Sequence, residues 1–312
     1  MNSPFPKSSS AAGEGEIIAR LQPDGVSGLE TITYQYPLKL ISPSKPAEDK
    51  SVLVFLLSYG GGLVGGDQVD LSIQVHPQAK LTIVTQGHTK VFTSTKADIV
   101  TRQTLRAQVA SGGALCLLPD PVQPFAGSVY EQTQIFKLAK DASLCLLDWV
   151  TQGRSARGED WSFVRWLGRN EVWTLPGDDD SGGRLLVRDS LLLDSIMGTL
   201  ILRGPLMKSL GDFFLAEFTA LPRIGARDWR SEDAKKAEVI EELSTAETWR
   251  RDRLKMEKES GLLWSAALVR GCVVVKFGAP EVEAGRIWIG SMLVQEGSIE
   301  KIFGDHALLC VR

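Results

Sequence analysis

The chain has 312 residues, 43% hydrophobic and 23% charged, which is the composition of an ordinary globular protein with a sizeable core and one or two domains. A net charge of −3 gives no electrostatic footprint for nucleic acid. The four cysteines, Cys116, Cys145, Cys272 and Cys310, form no CxxC or zinc-ligand spacing and sit in apolar strand-like runs, which points to reduced, buried thiols in a cytoplasmic protein.

Residues 1–16, MNSPFPKSSSAAGEGE, lack a hydrophobic signal region and an Arg-rich amphipathic pattern, so they read as a disordered leader with no membrane role. The remaining residues, 17–312, read as a single domain. Residues 31–42 suggest a strand broken near Pro37, and residues 45–50 a polar connection. An apolar run, residues 52–57, then leads into five glycines, Gly60, Gly61, Gly62, Gly65 and Gly66, and stops at Asp67. Glycine permits positive φ and close approach, so this density marks a strained turn or a tightly approached surface. The Gly60-x-Gly62-x-x-Gly65 spacing imitates a dinucleotide fingerprint, but that motif needs a helix next. Val69, Leu71, Ile73 and Val75 instead alternate with polar residues, which predicts a strand.

A repeat follows. Residues 75–87, 109–121 and 138–150 each carry a turn, a small residue and an alternating Leu-x-Leu or Leu-x-Ile run, at roughly 30-residue intervals. Stacked, helically coiled sheet layers are favoured over a β-sandwich with regular hairpins, which remains the competing arrangement. The third copy runs into residues 146–163, where Asp148, Arg154, Arg157, Glu159 and Asp160 crowd a glycine-punctuated turn. Such a cluster is either a structural ion-pair network or a site. Residues 178–183, DDDSGG, read as an exposed hairpin loop. Helices are expected late: residues 204–222 have apolar residues at helical spacing, and the charged stretch 231–260 carries a Ser244-x-x-Glu247 capping box with Gly261 beyond its end. Residues 267–279 and the final segment ending HALLCVR return to strand character. The fold class is thus mainly β with a few C-terminal helices, a β-rich α+β protein.

Catalytic machinery is scarce. There are three histidines, His76, His88 and His306, and neither HExxH nor GxSxG occurs. What remains are separated carboxylates, Asp67, Asp120, Asp148 and Glu159, each beside glycines or at the end of an apolar strand. Their role is either structural pairing with Lys90, Arg154 and Arg157 or weak, exchangeable binding of a divalent cation.

Four segments taken in order, GGGLVGGD (60–67), TQGHTKVFTS (85–94), the region around LPDPVQPFAGS (118–128) and LLDWVTQGRSARGEDW (146–161), closely resemble the urease accessory protein D family, also called UreH. The resemblance is strong over residues 50–200 and compatible to residue 280. The chain departs at Gln86 and His88, where many members carry proline and alanine. The length of the 231–260 stretch suggests a helical insertion typical of eukaryotic members.

The resemblance implies a non-enzymatic scaffold that binds accessory protein F and, through it, the GTPase accessory protein G. The assembly docks on apo-urease and assists nickel delivery, with a water-filled internal tunnel as the route. No nucleic acid, no membrane and no stably bound cofactor is implied, only transient Ni2+. On that picture Asp67, Asp148 and Glu159 are path groups, with Asp120 and His88 as further donors. Lys90, Arg154 and Arg157 hold them, and Gly61, Gly62, Gly65 and Gly66 keep the passage open. The rival readings are a tether without a metal path and a nucleotide-binding enzyme.

Overall fold

The turn and Leu-x-Leu repeats fold as successive rungs of a parallel coil in a computed structural model, which describes residues 11–43, 50–175, 183–188, 196–221 and 244–312. The amino-terminal strands are β1 (Glu14–Leu21), β2 (Ser27–Tyr34), β3 (Leu38–Ile41) and β4 (Val52–Ser58). The glycine-rich turn supplies β5 (Gly62–Leu63), and β6 (Gln68–Val75) follows it directly. The coil continues through β7 (Lys80–Val84), β8 (Thr89–Val91), β9 (Thr101–Val109), β10 (Ala114–Leu117), β11 (Val122–Pro124), β12 (Val129–Leu138), β13 (Ser143–Thr151) and β14 (Arg165–Thr174). Then come β15 (Gly183–Arg188), β16 (Ile196–Arg203), β17 (Leu263–Val269) and β18 (Cys272–Ala279).

Each turn of the coil visits three faces in the same order. One face is the parallel ladder β4, β7, β10 and β13, in which Leu81, Leu115 and Leu144 are in register. A second, short face stacks β5, β8 and β11, with Gly62 beside Lys90 and Thr89 beside Val122. The third is the parallel ladder β6, β9, β12 and β14, aligning Val69, Gln103, Gln132 and Gly168. Further strands finish both large sheets: β1, parallel to β6, with the antiparallel β2 and β15 gives seven strands on one, while the antiparallel β3, β16, β18 and β17 extend the other. This is a coil rather than a hairpin sandwich, because the repeated strands pair parallel with their counterparts one turn away.

Two cores result. Inside the coil, Ile17, Leu71, Ile73, Leu105 and Phe136 meet Leu81, Ile83, Leu115, Leu117, Leu144 and Leu146. Outside the larger sheet a helical layer covers the other face, so every residue of β13 is buried. That layer is α1 (Lys208–Thr219), α2 (Thr245–Ser260), α3 (Val282–Glu296) and α4 (Ser298–Phe303). It packs Leu210, Phe214, Trp288, Met292 and Phe303 against Cys116, Leu147, Trp149 and Phe277. No helix among the described residues is long and apolar enough to cross a membrane.

Several expectations are met in detail and others corrected. The strand after the glycine turn is present as β6, so the helix that a dinucleotide fingerprint requires is absent from residues 68–75. The capping box of α2 forms in both directions, and Gly261 closes the helix at φ 67°. The buried side of α2 is ionic: Arg253 joins Glu217 and Glu257, Arg250 pairs with Glu217, and the Trp288 indole N–H donates to Glu257 at 2.8 Å. Strand β1 begins inside the expected 1–16 leader and pairs with β2 and β6, because Ile17 and Ala19 are core residues. The final segment is not strand. Residues 282–303 are two helices, and Asp305–Leu308 is a 3-10 turn. Gly285 and Gly290 obscure the helical spacing of Trp288, Ile289, Met292 and Leu293, all buried. Most of the DDDSGG loop and residues 231–243 of the charged stretch lie outside the described residues.

Candidate functional site

The four segments that carried the resemblance, far apart in sequence, are consecutive rungs on and beside the short face. Phe92 N–H donates to Leu63 at 2.8 Å, Phe125 N–H to Val91 at 2.9 Å, and the Gln123 amide to the Gly153 carbonyl at 3.2 Å. Phe92 and Phe125 meet edge to face at 5.2 Å, and the Arg154 guanidinium lies 3.9 Å from the Phe125 ring centre. Gly62 serves this stacking: a β-carbon there would lie 2.7 Å from the Lys90 carbonyl oxygen and 2.6 Å from the Phe92 ring. Gly65 and Gly66 likewise abut the next rung at Ser94 and Ile99.

The short face borders a polar interior. A cavity of about 30 Å³ is lined by Thr85, Thr89, Gln103, Asp120, Gln132, Gln134 and Asp148 among apolar neighbours. That is space for about one or two waters. Asp148, buried on β13, accepts from the Gln132 amide at 2.8 Å and the Asn170 amide at 2.6 Å, while Gln134 donates to Asn170 at 3.0 Å. Tyr130 donates to Gln132 at 3.1 Å, and burial, with the Asp148 carboxylate close by, pushes its phenol far above the usual range. Asp120, also buried, accepts from Thr85 Oγ1 at 3.0 Å, Gly87 N–H at 2.8 Å and Arg286 Nη1 at 3.0 Å. Arg286 comes from α3, also donates to the Cys310 carbonyl, and lies 5.8 Å from the Trp149 ring centre.

Thr85, Thr89 and Leu56 also line a larger pocket of about 350 Å³ at the surface, whose walls include Lys39, Tyr59, Gly60, Gly61, His88 and Lys90. His88 is half-buried. Burial holds its imidazole below the ordinary 6.5, opposed by Asp120 and assisted by Arg286 and Lys90.

The structure therefore divides the expected path residues. Asp120 and Asp148 meet at the inner cavity, and His88 stands at the adjoining pocket. Asp67 instead closes its own turn, its Oδ2 accepting Val64 N–H at 2.9 Å. Glu159 is held by Arg154, which donates from Nε at 2.8 Å and from its backbone N–H at 2.9 Å, and this pairing keeps the carboxyl below its usual range. Neither Asp67 nor Glu159 lines the cavity. Of the cations expected to hold the path, Arg154 pairs with Glu159, whereas Lys90 and Arg157 are exposed.

The family profile described as UreD urease accessory protein matches residues 12–307. The chain belongs to the UreD urease accessory protein family. It is 42% identical over 189 residues to the urease accessory protein UreD of Sorangium cellulosum, a match spanning 61% of this chain and 56% of that protein. Identity is 32% over 279 residues with an uncharacterized UreD-like urease accessory protein of Schizosaccharomyces pombe, covering 88% of this chain and 87% of that one. It is 32% over 292 residues with UreD of Anaeromyxobacter sp., covering 93% and 87%. These relatives are both bacterial and eukaryotic, so a eukaryotic subfamily is not singled out.

Sequence reasoning missed Gln103, Gln132, Gln134, Asn170 and Arg286. The glutamines carried a readable signal. In β12, Tyr130, Gln132, Gln134, Phe136 and Leu138 share the buried parity, so two amides stand where a plain core strand would place apolar side chains.

Proposed function

We propose that this chain is a non-catalytic, cytoplasmic accessory protein of urease maturation that docks on apo-urease with accessory proteins F and G and passes nickel through its coil. One observation carries the reading: the surface pocket and the inner cavity share Leu56, Thr85 and Thr89, and the polar lining continues through Gln103 and Gln132 to Asp148. Nickel is cargo in this scheme. A divalent ion in so narrow a space would exchange part of its hydration shell for amide and carboxylate oxygens. Asp148 offsets its charge, while the pairing of Asp120 with Arg286 keeps a second full negative charge from trapping it.

The narrowness of the inner cavity favours a second reading, a tether that organises partners without conducting metal. Co-expression with apo-urease and accessory proteins F and G, followed by pull-down and urease assay with and without nickel, tests the accessory role on which both readings rest. Co-purification with F and activation that depends on this chain are expected. Absence of both would end it.

A further inference from the structure

The surface pocket is electrostatically wrong for a bare cation. Lys39 and Lys90 both line it, none of its described lining residues is acidic, and neither lysine forms an ion pair among the described residues. Lys39 Nζ is 5.5 Å from the Tyr59 ring centre, a contact that leaves its hydrogen-bond donors unused. Gly60 and Gly61, at φ 70° and 74°, face open space and leave bare backbone on the wall. Thr89 adds a hydroxyl. Asp120, a buried carboxylate that lines the inner cavity and not this pocket, accepts from Thr85, Gly87 and Arg286, and the Arg286 guanidinium beside it partly offsets the negative field that it exerts at His88.

We infer that this pocket binds a small oxyanion, of the carbonate or phosphate class, between Lys39 and Lys90. Its volume, about 350 Å³, accommodates such an ion with several waters. Two ammonium groups supply charge-assisted hydrogen bonds to anionic oxygens. The bound anion would cancel the repulsion that a divalent ion otherwise meets at this end of the passage. Only that consequence rests on the nickel reading. The binding itself does not.

The test uses the full chain without nickel, urease or partners. Its thermal midpoint is followed against inorganic phosphate and, separately, bicarbonate, with sodium chloride at matched ionic strength as control. A saturable rise with one or both oxyanions and not with chloride is expected, because a ligand of the folded state alone stabilises by mass action. The two arms identify which oxyanion is preferred. Lys39→Met with Lys90→Met should weaken the apparent affinity at least about ten-fold, a few-fold per exposed charge. Lys39→Arg with Lys90→Arg should retain it. No saturable rise with either oxyanion, an equal rise with chloride, or an undiminished rise in the double methionine variant would overturn the inference. Because no metal transfer is measured, failure here and failure of the nickel path remain distinguishable.

Discussion

Arg286→Met tests the link between the helical layer and the polar interior. The Arg286 Nη1 to Asp120 Oδ1 bond is 3.0 Å, with side-chain exposures of 17% and 8%. Removing one partner from a buried pair costs about 3–5 kcal/mol, mostly because the other charge is left buried. Asp120 would keep its bonds from Thr85 and Gly87, and Arg286 is not fully enclosed. These features reduce the expected loss to about 2–3 kcal/mol. Asp120→Leu alone should cost a similar amount, since it orphans Arg286. The double variant should lose clearly less than the sum of the two, with a coupling of at least about 1 kcal/mol. Urea unfolding of the four proteins, followed by tryptophan fluorescence, measures this. A single variant within about 0.5 kcal/mol of wild type, or strict additivity, would refute the reasoning.

Glu217→Gln should loosen α2 by about 3 kcal/mol, because buried Arg253 then loses a carboxylate partner; protease cleavage within residues 244–260 should accelerate. Gly62→Ala should cost about 1–3 kcal/mol through collision with the Lys90 carbonyl and Phe92, seen as a lower urea midpoint. For His88, a folded value below 6.5 means that the unfolded chain binds more protons between the two values. Its contribution is intact above pH 6.5 and lost as pH falls through the folded value, so stability measured from pH 7 to about 5 should decline less steeply in His88→Gln. Glu159→Gln should lower stability by breaking the Arg154 pair, and should leave nickel-dependent activation of urease unchanged at permissive temperature.

The coil was legible because its repeat is chemical: a turn, a small residue and Leu-x-Leu recur where Leu81, Leu115 and Leu144 stack. The meeting of Asp120 and Asp148 was legible only as two strand-exit acids. Asp67 and Glu159 carry the same local signature, yet a turn N–H and a guanidinium satisfy them. Sequence neighbours cannot separate these cases, because the deciding partners are one rung away or on α3. Arg286 lay hidden in a helix whose glycines and β-branched residues, Gly285, Ile287, Ile289 and Gly290, mask its periodicity. The helix at 204–222 was legible by spacing, but not that its buried residues Leu210 and Phe214 belong to the core beneath the helical layer.

Asp148→Asn is the most direct test of metal passage. The substitution keeps the size of the side chain and one acceptor oxygen while removing the charge beside Gln132 and Asn170. Urease activation would be measured with apo-urease, accessory proteins F and G and limiting nickel, with complex formation followed by pull-down from the same mixtures. Nickel conduction through the coil requires activation to fall at least about ten-fold while the complex remains intact, a loss of about 1.4 kcal/mol or more in transfer. Full activation by an intact Asp148→Asn complex would contradict it and leave the tether.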